Sequence, residues 1–259
     1  MIQGSTSRPI MQPQTLQELC LDEACLIPTD SYTRLPWTLK DQLLKKLTRR
    51  GKCTDDIFSW LIHSRVTELD LHACLISDAG VEYLKTTKCL KVLYMPEPPV
   101  VENNNFSENS LMGLGEGKSM LRVVALNGLC GVTDGVIGSL VGGCPQLQEV
   151  HISSTSITNH ALTALANLTQ LVCLNIGKTQ ISDIGIQQLV IGGVGQSLRE
   201  LRIDGCVRLT DDSIESICHC CTHLNILCFH HCPRLSDRSR ELVDEYKAWR
   251  MKQLTWTVY

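Results

Sequence analysis

The most constraining feature of the chain is an apolar triplet, spaced apolar-x-x-apolar-x-apolar, that returns along its length. It occurs as Val66, Leu69, Leu71; Leu90, Leu93, Met95; Leu121, Val124, Leu126; Leu147, Val150, Ile152; Leu171, Leu174, Ile176; Leu198, Leu201, Ile203; and Leu224, Leu227, Phe229. A weaker eighth copy is Met251, Leu254, Trp256. Successive starts lie 24, 31, 26, 24, 27, 26 and 27 residues apart, a single period with one insertion in the second unit. Alternation within each triplet predicts a short strand that buries one face and presents the other.

The second half of each unit makes chemical sense after a strand. A polar pair closes a turn and supplies a helix cap: Ser77-Asp78, Thr133-Asp134, Thr158-Asn159, Ser182-Asp183, Thr210-Asp211 and Ser236-Asp237. Apolar residues then recur at helical spacing, as in Val136 and Leu140 or Ile214, Ile217 and Cys221. A strand-turn-helix unit of this period is the leucine-rich repeat, and since no unit buries its apolar face alone, the units must stack. The expected fold is therefore an α/β leucine-rich-repeat solenoid, a horseshoe with parallel strands on the concave face, helices on the convex face and a helical N-terminal cap. The expected divisions are a disordered tail (1–14), the cap with a possible docking box (15–62), and a solenoid of about seven repeats with a closing strand (63–259).

Bulk properties exclude several classes. With 24 basic against 27 acidic residues in 259, no single-sign field covers the chain, which argues against nucleic acid or an anionic membrane as partner. Neither an export signal nor a membrane-spanning run is recognisable, so a cytoplasmic protein is expected, the nucleus being compatible too. The 14 cysteines then need a positional explanation. Cys74, Thr155, Thr179, Cys206 and Cys232 stand eight residues into their units, where a small side chain can satisfy turn groups of the neighbouring repeat. Cys144 and Cys221 stand three residues before a strand. This placement resembles the cysteine-containing leucine-rich repeats of F-box proteins and reads as core and ladder residues in a reducing compartment.

Two motifs imitate chemistry. Cys218, His219, Cys220, Cys221, His223, Cys228, His230, His231 and Cys232 look like a zinc cluster, but the repeat frame spreads them over two faces, and tetrahedral coordination needs four converging ligands. Packing cysteines and exposed histidines is the plainer reading. Gly113 to Ser119 ends in Gly-Lys-Ser like a phosphate loop, yet the first required glycine is Met112 and the run precedes a strand instead of following one. It reads as a glycine-rich helix terminus. With no nucleophile elbow or repeated ligand spacing, no catalytic residue, cofactor or metal is expected.

Binding is expected on the concave face, from side chains alternating with the core positions: Asp70, His72, Asn127, Glu149, His151, Asn175, Lys178, Arg202, Asp204, His230 and His231. This mixed surface suits specific recognition of a protein substrate, and an ordinary solvated sheet face is the alternative. The insertion from Pro96 to Asn105 is equally a partner loop or a tolerated surface insertion.

The segment before the repeats admits two readings. Leu39, Leu43, Leu44 and Leu47 lie on one side of a helix after Pro36 and would cap the core. Leu16, Cys20 and Ala24, at four-residue spacing, resemble the elongin-binding box of SOCS-box proteins, and Leu35, Pro36, Leu39 and Leu43 resemble the cullin-binding box that follows it; Leu-Pro before an amphipathic helix also resembles the first helix of an F-box. Phe229 to Glu241, Lys252 to Tyr259, and Leu35-Pro36 with Leu39-Lys40-Asp41 resemble animal homologues in the antagonist-of-mitotic-exit-network family, from Leu16 to Tyr259. That resemblance implies a non-catalytic substrate-recognition subunit of a cullin-RING ubiquitin ligase, SCF-type or elongin-containing, docked through the F-box adaptor or elongin B/C and acting in ubiquitin-dependent protein catabolism. The alternative it implies is a scaffold that inhibits a small GTPase in mitotic-exit, cell-cycle signalling.

Overall fold

The computed structural model describes residues 16–25, 30–97 and 106–249. Each triplet forms a three-residue strand: β1 (Glu68–Asp70), β2 (Val92–Tyr94), β3 (Val123–Ala125), β4 (Glu149–His151), β5 (Cys173–Asn175), β6 (Glu200–Arg202) and β7 (Ile226–Cys228). All pair in parallel and in chain order, so each turn of the coil touches the one before and the one after. The helices are α1 (Leu16–Ala24), α2 (Trp37–Arg49), α3 (Asp55–Leu61), α4 (Asp78–Leu84), α5 (Glu108–Met112), α6 (Asp134–Gly143), α7 (Asn159–Leu165), α8 (Asp183–Ile191), α9 (Val194–Ser197), α10 (Asp211–Cys220) and α11 (Asp237–Trp249). The chain is an α/β leucine-rich-repeat solenoid. The weak eighth triplet, residues 1–14 and 98–105 fall outside the described residues.

One apolar column runs along the coil. The central strand residues Leu69, Leu93, Val124, Val150, Leu174, Leu201 and Leu227 are in register and buried, each contributing about 1.5–3 kcal/mol by burial. Leu43, Leu44 and Leu47 of α2 and Ile57, Phe58 and Leu61 of α3 close the N-terminal end of this core. Asp22 on α1 binds Lys46 and Arg50, at 2.9 and 2.6 Å, which ties the first helix to the second.

The polar pairs do more than cap. Ser77, Thr133 and Thr158 accept hydrogen bonds from their own helix amides, but Ser182 and Thr210 make no side-chain cap. Their polar groups turn to the preceding turn, because an acidic or amide side chain at each helix start reaches the next unit. Asp134 accepts from the Thr158 amide and hydroxyl at 2.7 and 2.6 Å, and Asp183 accepts from the Thr210 amide and hydroxyl at 2.8 and 2.9 Å and from the Ser213 hydroxyl. Asn159 receives the Ser182 amide at 2.9 Å, and Asp211 receives Ser236 and Ser239. Asp55 of α3 does the same for Ser77, so the cap joins the ladder.

All cysteines are free thiols. At the ladder position Cys206 donates back to the Ile176 carbonyl at 3.4 Å and Cys232 to Ile203 at 3.3 Å. Thr155 and Thr179 instead bond carbonyls of their own unit, Ile152 and Ile176, since a hydroxyl reaches less far than a thiol. Burial pushes the Cys221 thiol up to about 12 and the Cys144 thiol up to about 11, so both are inert packing groups. Among the described residues no group of three or more His, Cys, Asp or Glu side chains is arranged to hold a metal, and no helix is long and apolar enough to cross a membrane.

Lys118 departs from every simple pattern. It occupies the position three before a strand, taken in other units by Thr87, Cys144, Leu168 and Cys221. Its side chain is wholly buried and its Nζ has no hydrogen-bond partner, so burial holds the amine below its usual pKa. A lysine in the core cannot reach a phosphate in solvent. His63 takes the same position before the first triplet, with both ring nitrogens buried and without a hydrogen-bond partner.

Candidate functional site

Strand register builds the concave face in rows. One row is Asp70, Tyr94, Ala125, His151, Asn175, Arg202 and Cys228, held side by side by consecutive pairing. The row before it is Glu68, Val92, Val123, Glu149, Cys173, Glu200 and Ile226. Ala125 and Cys173 are buried within the face, so the prominent side chains cluster toward its two ends.

At the N-terminal end, Tyr94 and His72 stack obliquely with ring centroids 5.2 Å apart. Burial raises the Tyr94 hydroxyl pKa, and the carboxylates of Glu149, Asp70 and Glu68 raise it further. His72 bonds Asp70 at 2.9 Å and lies 3.5 Å from Glu97, which also accepts from Asn127 at 2.7 Å. Beside them α2 flanks the sheet and leaves a groove of about 230 Å³, floored by Val92 and Tyr94 and edged by Asp41, Lys45, Arg49 and Glu68. The cap helix therefore lengthens the concave surface as well as closing the core.

Toward the other end Arg202 bonds Glu200 at 2.5 Å, and its head remains exposed. His151 sits between these groups. Burial lowers its pKa, while Glu149 and Glu200 oppose the shift. A neutral, half-buried imidazole can donate or accept toward a partner.

Several expected binding residues have structural duties. The Asn127 side-chain oxygen accepts from the Ser153 amide and hydroxyl at 3.0 and 2.9 Å, Asn175 accepts from the Gly177 amide, and Asp204 accepts from the His230 amide at 2.8 Å. These groups pin the turns leaving the strands. Lys178 and His231 stand past the strands in left-handed backbone, φ 54° and 56°, at the position held elsewhere by Ser154 and by Gly128 and Gly205. They lie on the turn-side rim of the sheet, because alternation ends with the strand. Asp70, His72, Glu149, His151, Arg202 and His230 remain as face residues. Sequence reasoning does not reach Tyr94, Val92 and the α2 edge, although the frame Leu90, Leu93, Met95 places Tyr94 level with His151 and Arg202.

The expected docking residues are split. Cys20 is exposed on α1, Pro36 is exposed at the start of α2, and Ala24 and Leu35 pack partly against the core. Leu39 is half-buried, and Leu43 is spent on the core at 1% exposure. Leu16 begins α1. Next to Pro36, Trp37 is 48% exposed with the Arg65 guanidinium 5.2 Å over its ring.

No family model matches the chain. The antagonist of mitotic exit network protein 1 of Eremothecium gossypii is 27% identical over 217 residues, covering 80% of this chain and 53% of that protein. The chain thus spans about half the length of the curated relative it matches. Among solved structures, internalin C2 of Listeria monocytogenes is similar with a TM-score of 0.55 at 20% identity, covering 92% of each chain, which is a likeness of fold. A chain of the yeast Rad7 and Elc1 complex has a TM-score of 0.46 at 16% identity, covering 94% of this chain and 81% of that one.

Proposed function

We propose that this chain is a non-catalytic recognition scaffold that grips a partner protein along its concave face and antagonises mitotic-exit signalling by occupying that partner, a small GTPase of the pathway. The observation that carries the reading is the row of Asp70, Tyr94, His151 and Arg202, brought level from four separate units by the strand register. Charged and aromatic groups in one row provide an anchor with flanking electrostatics, the usual anatomy of protein recognition. The similarity to a mitotic-exit antagonist supports the pathway. The test uses the double variant Asp70→Lys, Arg202→Glu with purified GTPases of that pathway. Loss of capture with an unchanged melting profile is the expected outcome, and undiminished capture by a folded variant sinks the proposal. Asp204 is unsuitable for reversal, because its carboxylate holds the His230 amide.

A second reading makes the same scaffold the substrate-recognition subunit of a cullin-RING ligase, acting in the cytoplasm or nucleus. It is favoured by the exposed Cys20 on α1 and the exposed Pro36-Trp37 start of α2, which leave the resembled docking boxes partly available. With Leu43 in the core, α1 would carry most of that contact. Cys20→Phe should then abolish capture of elongin B/C or of the F-box adaptor, and equal capture by parent and variant would remove this reading.

A further inference from the structure

The boundary between cap and solenoid brings two thiols together. Cys53 follows α2 and Cys74 follows β1, and the segments around them run parallel: Thr54 bridges Leu75, and the Leu75 amide donates to the Cys53 carbonyl at 3.0 Å. The same step recurs deeper in the coil, where the Ser156 amide donates to the Val132 carbonyl at 3.1 Å. Cys53 thus stands where Val132 stands, and Cys74 where Thr155 stands. At the cap boundary both positions are cysteine.

Both side chains are wholly buried. The Cys74 thiol donates to the Thr48 carbonyl at 3.8 Å, and the neighbouring Cys74 together with burial pushes the Cys53 thiol pKa up. Residues opposite each other on paired parallel segments have Cα atoms about 5 Å apart, within the roughly 4.4–6.8 Å that a disulfide spans. Paired positions on parallel segments share a face, and both side chains are buried, so dithiol and disulfide are reached from nearly the same backbone.

We infer that Cys53 and Cys74 are a reversible disulfide site that clips the helical cap to the first turn of the solenoid, formed by exchange with a low-molecular-weight disulfide such as glutathione disulfide. One thiol loses its proton to water, and the thiolate attacks a glutathione sulfur; the glutathione S–S bond breaks and one glutathione thiolate leaves. The second thiol, deprotonated in turn, attacks the mixed disulfide and expels the second glutathione. Two protein thiols are oxidised by two electrons, and one glutathione disulfide is reduced to two glutathiones. Because the closed structure shields both sulfurs, exchange proceeds through brief opening of the terminal cap. The clip therefore reports cap opening, and once made it opposes it.

The experiment incubates the reduced full chain with glutathione disulfide at mildly alkaline pH, blocks remaining thiols with N-ethylmaleimide after acid quench, and maps tryptic peptides by mass spectrometry. Cleavage after Arg65 puts the two cysteines on different peptides. A Cys53-Cys74 linked pair as the main intramolecular disulfide, with a higher thermal midpoint than the reduced chain, is the expected result. The exposed Cys130 should carry glutathione and shows that the reagent has acted. Recovery of Cys53 and Cys74 as free thiols or as separate glutathione adducts, once Cys130 has reacted, overturns the inference. Cys53→Val, which copies the residue at the equivalent later step, should keep the fold and lose both the linked pair and the oxidation-dependent rise.

Discussion

Acidic side chains at the helix starts and those of Asp70 and Glu149 on the strands have the same chemistry and different fates. On the convex side Asp55, Asp78, Asp134, Asp183 and Asp211 each spend their oxygens on the polar cap of the next unit. On the concave side Asp70 accepts from the His72 amide and ring and Glu149 lies 3.8 Å from the His151 ring, and their side chains stay 62% and 47% exposed. The difference is whether a neighbouring unit offers donors. Helix starts present free amides and hydroxyls to an acid, whereas strand amides are already used in the ladder, so a strand acid is left for water or a partner.

The largest test of this contrast is Asp183→Ala, which strips the Thr210 amide and hydroxyl and the Ser213 hydroxyl of their acceptor. Denaturant unfolding should show a loss of about 2–4 kcal/mol, since hydrogen bonds to a charged acceptor are involved and Ser213 is buried. A loss no greater than that from a concave acid would break the contrast.

Lys118→Met should move stability the other way, by about 1–3 kcal/mol, because it replaces a buried amine without a partner by an apolar chain of similar length. The thermal midpoint checks it. A fall would mean that the amine has an unrecognised role in the core.

Acidity separates the two sides by pH. For His63 and His151, burial holds the folded pKa below the unfolded value of about 6.5. The unfolded chain therefore binds more protons below that pH, and stability falls as pH drops from about 6.5 toward the folded pKa values. His63→Asn should flatten that limb. For Asp78 and Asp211, burial pushes the carboxyl up, but hydrogen bonds from Ser110 and Ser107 to one, and from Ser236 and Ser239 to the other, outweigh it and hold both below the usual range. Their stabilisation is complete above about pH 4 and disappears as pH falls through the folded values. Acid titration of Asp211→Asn should show a shallower loss in that lower window.

The smallest expected effect is Asp70→Lys alone. A side chain 62% exposed should change stability by no more than about 0.5 kcal/mol, although it reverses a charge beside Tyr94. A large destabilisation would place Asp70 with the convex acids.

The fold was legible because a period near 26 residues leaves one way to bury seven apolar triplets, namely stacking in chain order. The binding face was only partly legible. Alternation located Asp70, His151 and Arg202, but it could not tell that Asn127, Asn175 and Asp204 are used by turns, nor that Lys178 and His231 lie beyond the strand. For Asn127 and Asp204 the distinction depends on donors about a full repeat away in the following unit, for Asn175 on the Gly177 amide two residues on, and for Lys178 and His231 on where the strand ends.

By itself the sequence determined the repeat, the strand register, the core column and the reduced state expected of ladder cysteines, because each follows from periodic burial along the chain. Only the tertiary structure decided that α2 borders the concave groove, that Lys118 is sealed without a partner, and that Cys53 meets Cys74. Each depends on which side chains face one another across turns, a matter of three-dimensional packing that a one-dimensional period does not encode.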